Sequence, residues 1–350
     1  MEPWLTDNFG NPSGSHSMAR RAKQAVEESR DVMAGVLGCR PDEVVFTGGG
    51  TEADNLAVLG ARGEGTVVCC AIEHDAVLAA ARTVDHRIAG ATAAGTVDLD
   101  SLAALLDESV TLVSLMLVNN EVGTVQPLGE LAELLLSRAP NAVLHTDAVA
   151  AFPWIDVSAA AQCASLVSVS AHKFGGPKGV GALVVRDVKL GARQLGGGQE
   201  RGLRSGTLNV AGIVGMATAA RITSDTRSAT ARRVARLRDR LADGLIESVP
   251  GCVETVDRAS QVPGNCHVRF DGIENEALLF LLDEAGICAS AGSACASGAL
   301  EPSHVLTAMG LSNREALSSL RFTLGYTTTE DEVDLALKAV PDAVSRLRKA

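Results

Sequence analysis

Lys173 stands in Ser170-Ala171-His172-Lys173-Phe174-Gly175-Gly176-Pro177-Lys178-Gly179, after an apolar run and just before a glycine-rich turn. An amine so placed can condense with the aldehyde of a cofactor, and small polar neighbours can hold a phosphate. A lysine after a buried strand is costly unless it is paired or used covalently. A Schiff-base lysine works best when desolvation or a nearby cation lowers its pKa. On position alone, an exposed loop lysine fits as well. Far along the chain, Ser290-Ala291-Gly292-Ser293-Ala294-Cys295-Ala296-Ser297-Gly298 surrounds Cys295 with small residues. That composition predicts a mobile loop with an accessible thiol, which becomes a nucleophile where its thiolate is favoured. The alternative is a buried, inert cysteine in an Ala-rich turn.

Three further groups stand just past predicted strands. Gly48-Gly49-Gly50-Thr51 lies between a strand and a helix start. Free amides at a helix N-terminus bind phosphate, and glycines let an anion approach the backbone. The plainer reading is a tight turn with Thr51 as N-cap, and the lysine of a nucleotide P-loop is missing. Asp147 falls at the C-terminal end of the strand Val143–His145, the edge where open α/β sheets bind ligands. A carboxylate there can hold the proton on a pyridine nitrogen and make the ring an electron sink, or it can cap a helix. His74, in Ile72-Glu73-His74, also follows a strand. Its imidazole can stack on a flat ring and shuttle protons near neutral pH, although a lone histidine is more often structural.

The elements that must position these residues alternate. Ser17 to Leu37 reads as a helix stopped by Gly38. Strands are expected at Glu43–Thr47, Val67–Ala71, Thr111–Val118, Ala142–His145, Leu166–Val169 and Val180–Val185, and a helix at Leu128–Ser137. The Thr111–Val118 run is apolar but for Thr111 and Ser114, as suits a strand buried on both faces. Strands alternating with helices predict an α/β fold around a mainly parallel sheet. After about Arg227 the character changes to a charged helix, Arg227 to Leu245, followed by mixed short strands and helices. The chain therefore divides into a large domain, residues 10–226, and a small domain made of residues 1–9 and 227–350 that carries Cys295.

Bulk composition narrows the partners. The chain has 350 residues, a net charge of -11 and 46% hydrophobic residues, enough for a sizeable core. An acidic chain is a poor general binder of nucleic acid. No apolar run is long enough to span a bilayer, and the N-terminus shows no signal peptide. Eight scattered cysteines, with no Cys-x-x-Cys pair, fit free thiols in a reducing cytoplasm. Neither metal-ligand spacing nor a Gly-x-Gly-x-x-Gly nucleotide fingerprint is present.

In their order along the chain these segments resemble one family, the pyridoxal-phosphate-dependent cysteine desulfurases of the class V aminotransferase group, of the housekeeping and nitrogen-fixation type. The matching runs are Asn11-Pro12, Gly48–Asn55, Ile72–His74, Asn119–Gly123, His145–Asp147, Ser170–Gly179, Gly196–Thr207, Ser293–Ser297 and Arg321–Gly325. The resemblance implies fold-type-I architecture, with a seven-stranded sheet, a smaller C-terminal domain and a homodimer. It implies that Lys173 carries the imine to pyridoxal 5'-phosphate, that Asp147 faces the pyridinium and that His74 stacks on the ring. Gly50, Thr51, Ser170 and His172 would hold the phosphate, and Thr207 would reach the phosphate of the neighbouring subunit. Asn120 and Arg321 would hold the carboxylate of L-cysteine. Cys295 would take its sulfur as a persulfide and pass it to an acceptor protein serving iron–sulfur clusters, RNA thiolation or DNA sulfur modification. Ala150 stands where the family usually has Gln bonded to the cofactor's phenolic oxygen. Two other readings stay open at this point: a selenocysteine lyase, and a weakly active cofactor-binding scaffold.

Overall fold

Strands that are apolar on both faces need helices on both sides to exclude water. In a computed structural model, which describes residues 1–61, 63–292 and 301–349, the apolar runs pair into a seven-stranded sheet. Its strands are β1 (Val44–Thr47), β2 (Thr66–Cys70), β3 (His86–Ala89), β4 (Val110–Ser114), β5 (Val143–Asp147), β6 (Leu166–Ser170) and β7 (Gly181–Val185). Their spatial order is β1-β7-β6-β5-β4-β2-β3. From β3 to β6 the neighbours are parallel, and β7 runs antiparallel to both β6 and β1. This is the mainly parallel α/β sheet expected from the alternating pattern.

Local chemistry explains where boundaries fall. The helix Ser17–Leu37 ends at Gly38, whose φ of 64° is left-handed and cheap only for glycine. The expected strand Thr111–Val118 stops pairing regularly at Ser114. Beyond it the amides of Leu115 and Leu117 still donate to the carbonyls of His145 and Asp147, at 3.1 and 2.9 Å. The Met116 amide between them points the other way and donates to the carboxylate of Glu73 at 2.7 Å. A side chain has replaced β2 as the partner, because β2 has already ended at Cys70. The charged helix read from Arg227 is the second half of a single helix, Val210–Ser248, of 39 residues. Gly212 and Gly215 obscure its first half in the sequence without breaking it.

Clustering of contacts separates two compact units, one of Met1–Ala89, Leu99–Leu117 and Gln126–Arg227, the other of Gly90–Asp98, Val118–Val125 and Ser228–Ala350. In the first, the helix Gly50–Ala61 lays Ala53, Leu56, Ala57 and Val58 into the core against Val45, Val67, Leu112 and Leu183. In the second, β8 (Cys252–Glu254), β9 (Asn265–Phe270) and β10 (Ser319–Thr323) form an antiparallel sheet in the order β10-β9-β8. Among the described residues no helix is long and apolar enough to cross a membrane.

One buried ion pair fastens the glycine-rich segment before Thr207 to the large sheet. Arg30 donates from Nη2 and Nη1 to the two oxygens of Glu200, at 2.7 and 2.9 Å. Glu200 also accepts the Phe46 amide at 2.8 Å, and the guanidinium lies 4.8 Å from the centre of the Phe46 ring. Glu200 and its neighbour Arg201 hold positive φ of 48° and 58°, so this turn is strained and depends on its contacts. Glu200→Ala, which strands a buried guanidinium, is expected to cost roughly 3–5 kcal/mol in urea unfolding. Glu27, the exposed second partner of Arg30, should cost less than about 1 kcal/mol when replaced by alanine.

Candidate active site

The loop after β1 carries the strongest geometric signal. Gly48, Gly49 and Gly50 lead into the helix Gly50–Ala61, whose first amide bonded to a preceding carbonyl is that of Ala53, to Gly49 at 3.1 Å. The amides of residues 50–52 therefore head the helix with no carbonyl one turn before them, and the helix dipole adds partial positive charge there. Close packing demands the glycines. A Cβ on Gly181 would meet the Gly49 backbone at 2.7 Å, and one on Gly50 would meet Val149 Cγ2 at 2.9 Å. A Cβ built on Gly49 would stand 3.8 Å from Ser170 Oγ, so the loop runs beside the end of β6. Ser170 Oγ in turn pairs with His172 Nδ1 at 2.9 Å. Burial, then the charges of Lys173 and Lys178, pushes the His172 pKa down, which keeps its imidazole neutral and able to share a hydrogen bond. Gly50, Thr51, Ser170 and His172 thus share one corner of the first unit, and this donor set fits a phosphate.

A second anchor is Glu52. Its carboxylate accepts the Gly48 amide at 2.9 Å and takes two hydrogen bonds from Arg204, at 2.7 and 3.2 Å. The bidentate pair ties the phosphate corner to the Arg204-Ser205-Gly206-Thr207 segment, in which Thr207 is exposed.

Lys173 ends a short turn, Ala171–Lys173, directly after β6. The turn is closed by the amides of Phe174 and Gly176, which both donate to the Ala171 carbonyl, at 3.1 and 2.9 Å. Phe174 is buried and stacks on Phe152 with ring centres 4.2 Å apart. Thr223 Oγ1 donates to the Phe174 carbonyl at 3.2 Å. The lysine side chain is exposed in the single chain, but its backbone is fixed from the following residue.

Asp147 is the last residue of β5 and is 6% exposed. Burial raises its pKa; a 2.8 Å hydrogen bond from the Val149 amide and the positive charges of His74 and Lys173 oppose that rise. A buried carboxylate already bonded to one amide, with the charge of Lys173 acting on it, is well matched to a protonated ring nitrogen. His74 caps the helix Asp75–Ala81: its Nδ1 accepts the Ala76 amide at 3.1 Å, which fixes the ring and leaves Nε2 for another partner. The capping role is compatible with a ring-facing one. The buried carboxylate, the fixed imidazole, the lysine and the phosphate corner together fit pyridoxal phosphate.

The second unit holds the other predicted residues. Arg321 Nη1 donates to the backbone carbonyl of Asn120 at 2.9 Å, so the main chain of Asn120 orients the guanidinium. That carbonyl is presented by a turn in which Asn119 Oδ1 accepts the amides of Glu121 and Val122, both at 2.9 Å. Arg321 also pairs with Ser290 through its main chain, at 2.8 and 3.1 Å. Glu121, buried, accepts Ser303 Oγ at 2.7 Å and faces His267 Nε2 at 3.8 Å. Cys295 lies outside the described residues. Of the described thiols, Cys69, Cys70, Cys252 and Cys266 are buried, and burial holds those of Cys252 and Cys266 up at about 12. They are small core residues and poor nucleophiles.

The sequence reading passed over the polar groups behind β5. His145 Nδ1 meets Ser114 Oγ at 2.8 Å and its Nε2 meets Ser168 Oγ at 3.0 Å. Asp54 and Glu73 are buried close by. A usable signal exists for Asp54, which interrupts the apolar face Ala53-Leu56-Ala57 of its helix.

Residues 1–336 match the family described as Aminotransferase class-V. An IscS-like cysteine desulfurase from Mycobacterium tuberculosis is 44% identical over 98% of this chain and 91% of its own length. The solved structure of a NifS-like protein superposes with a TM-score of 0.92 at 34% identity, over 99% of this chain and 94% of the other. A structure of SspA in complex with cysteine superposes with a TM-score of 0.80 at 30% identity, over 94% of each chain.

Proposed function

This chain belongs to the class-V aminotransferase family and is a cysteine desulfurase, and from that premise we propose how its residues divide the work. The family works with pyridoxal phosphate, which when bound supplies an electron sink that acidifies the Cα–H bond of an amino acid. In this reading Gly50, Thr51, Ser170 and His172 bind the phosphate, with Thr207 serving the phosphate of a second copy in a homodimer. Asp147 would accept a proton-bearing ring nitrogen of the cofactor, and His74 would lie against its ring. Lys173 would hold the cofactor's aldehyde covalently, and its amine, when free, would take the proton from Cα of L-cysteine. Arg321 grips the substrate carboxylate with its guanidinium fork, and Asn120 completes that grip.

Cys295 as a thiolate attacks the substrate sulfur. A sulfur–sulfur bond forms as the Cβ–sulfur bond breaks, and protonation at carbon releases L-alanine. The persulfide goes to an acceptor protein. The observation that carries the reading is Asp147, a buried carboxylate at the end of β5 that accepts the Val149 amide and feels the charge of Lys173. Incubation with pyridoxal phosphate, L-cysteine and a reductant should yield alanine and sulfide in step. Absence of both would contradict the reading.

Arg321→Lys keeps the charge but loses the planar fork. Its kcat/KM for L-cysteine is expected to fall roughly 10–100-fold, mostly in KM, matching about 1.5–3 kcal/mol for a charged hydrogen bond. Steady-state alanine release against cysteine concentration checks this.

A further inference from the structure

Asp54 has no assigned role, yet it is the least affordable residue of its helix. The helix Gly50–Ala61 buries Ala53, Leu56, Ala57 and Val58, and Asp54, 1% exposed, goes down with them. Its Oδ1 has no hydrogen-bond partner, and the basic group facing it, His145 Nε2, is 3.6 Å away. That histidine gives little charge: it is wedged between Ser114 Oγ and Ser168 Oγ, and burial pushes its pKa down to about 3. Ser168 donates to Asp54, and two more buried acids, Asp147 and Glu73, repel any negative charge there. The other titratable groups of the neighbourhood, His74 and Lys173, act on Asp147. Among the described residues no group of three or more His, Cys, Asp or Glu is placed to hold a metal ion. A carboxylate sunk in such a place sheds its charge by keeping a proton.

We propose that Asp54 is a positioning residue that stays protonated: the neutral acid closes the Ser114–His145–Ser168 chain behind β5 and leaves Asp147 as the ionised partner of the pyridine nitrogen. The second half of this statement rests on the assignment of Asp147 given above; the first half does not. A neutral acid can be copied by an amide, so Asp54→Asn should fold and keep the cofactor, whereas Asp54→Leu removes the partner of Ser168 and should lose cofactor retention at least about tenfold.

The proton itself is read from stability. An acid that holds its proton more tightly folded than unfolded costs the folded state stability as pH rises above the usual aspartate range, and an amide does not. The unfolding constant of the wild type divided by that of Asp54→Asn should therefore rise about tenfold per pH unit, or about 100-fold between pH 5 and pH 7. Titratable groups common to both chains cancel in this ratio. The measurement is urea unfolding of the cofactor-loaded proteins at both pH values. A ratio that is the same at pH 5 and pH 7 overturns the proposal, and so does an Asp54→Asn chain that fails to fold. Should the purified proteins show no absorbance from bound cofactor, the assignment of Asp147 falls, while the stability ratio still decides whether Asp54 holds a proton.

Discussion

Lys173→Ala is expected to remove the visible absorbance of covalently held cofactor and to lower alanine release from L-cysteine by at least about 10⁴-fold. Two functions are lost with one amine: the covalent tether and the base that moves the Cα proton, the latter alone worth about 10²–10⁴. The fold should survive, because the turn is held by the Ala171 carbonyl and by Phe174 on Phe152 and not by the lysine side chain. Urea unfolding should shift by less than about 1 kcal/mol. Lys178, exposed five residues later, is the control; Lys178→Ala should leave turnover within about threefold. A Lys173→Ala chain that still turns over cysteine at a comparable rate would place the base elsewhere.

The second large effect belongs to the thiol. Cys295→Ala should retain the cofactor absorbance yet lose at least about 10³-fold in sulfide release, because covalent catalysis splits a difficult sulfur transfer into two easier steps. Persulfide trapped by alkylation should be present on the wild type and missing from the variant. Cys163→Ala and Cys288→Ala remove exposed thiols outside the site and should leave turnover within about threefold. If Cys163 or Cys288 carries the persulfide instead, the sulfur route proposed here is wrong.

How far the sequence led depended on which kind of signal each residue left. Asp147 and Ser170 could be placed because mainly apolar runs marked β5 and β6, and each residue ends its strand, at the edge where open α/β sheets bind ligands. Gly48–Gly50 reads in the sequence as a loop that an anion can approach; that Gly49 also packs against Gly181 of β7 left no sequence signal. Arg30 with Glu200, and Glu52 with Arg204, could not be seen, since each pair joins residues more than a hundred positions apart. The long helix Val210–Ser248 was half hidden because glycines lower helix propensity without forbidding a helix that packing supports. Asp54 left a faint trace, one acid on an apolar face, whose meaning depends on His145 and Ser168 arriving from other strands. The link from Arg321 to the Asn120 carbonyl is likewise a product of the fold: the sequence suggested both residues and gave no hint that the main chain of one orients the other.

The most direct test fixes the cofactor in place. Purified protein carrying pyridoxal phosphate is reduced with borohydride, digested, and the labelled peptide is identified by mass. The account predicts the pyridoxyl group on the peptide containing Lys173 and on no other lysine. Label on Lys178 or Lys189, or a protein that stays unlabelled while saturated with cofactor, would contradict it.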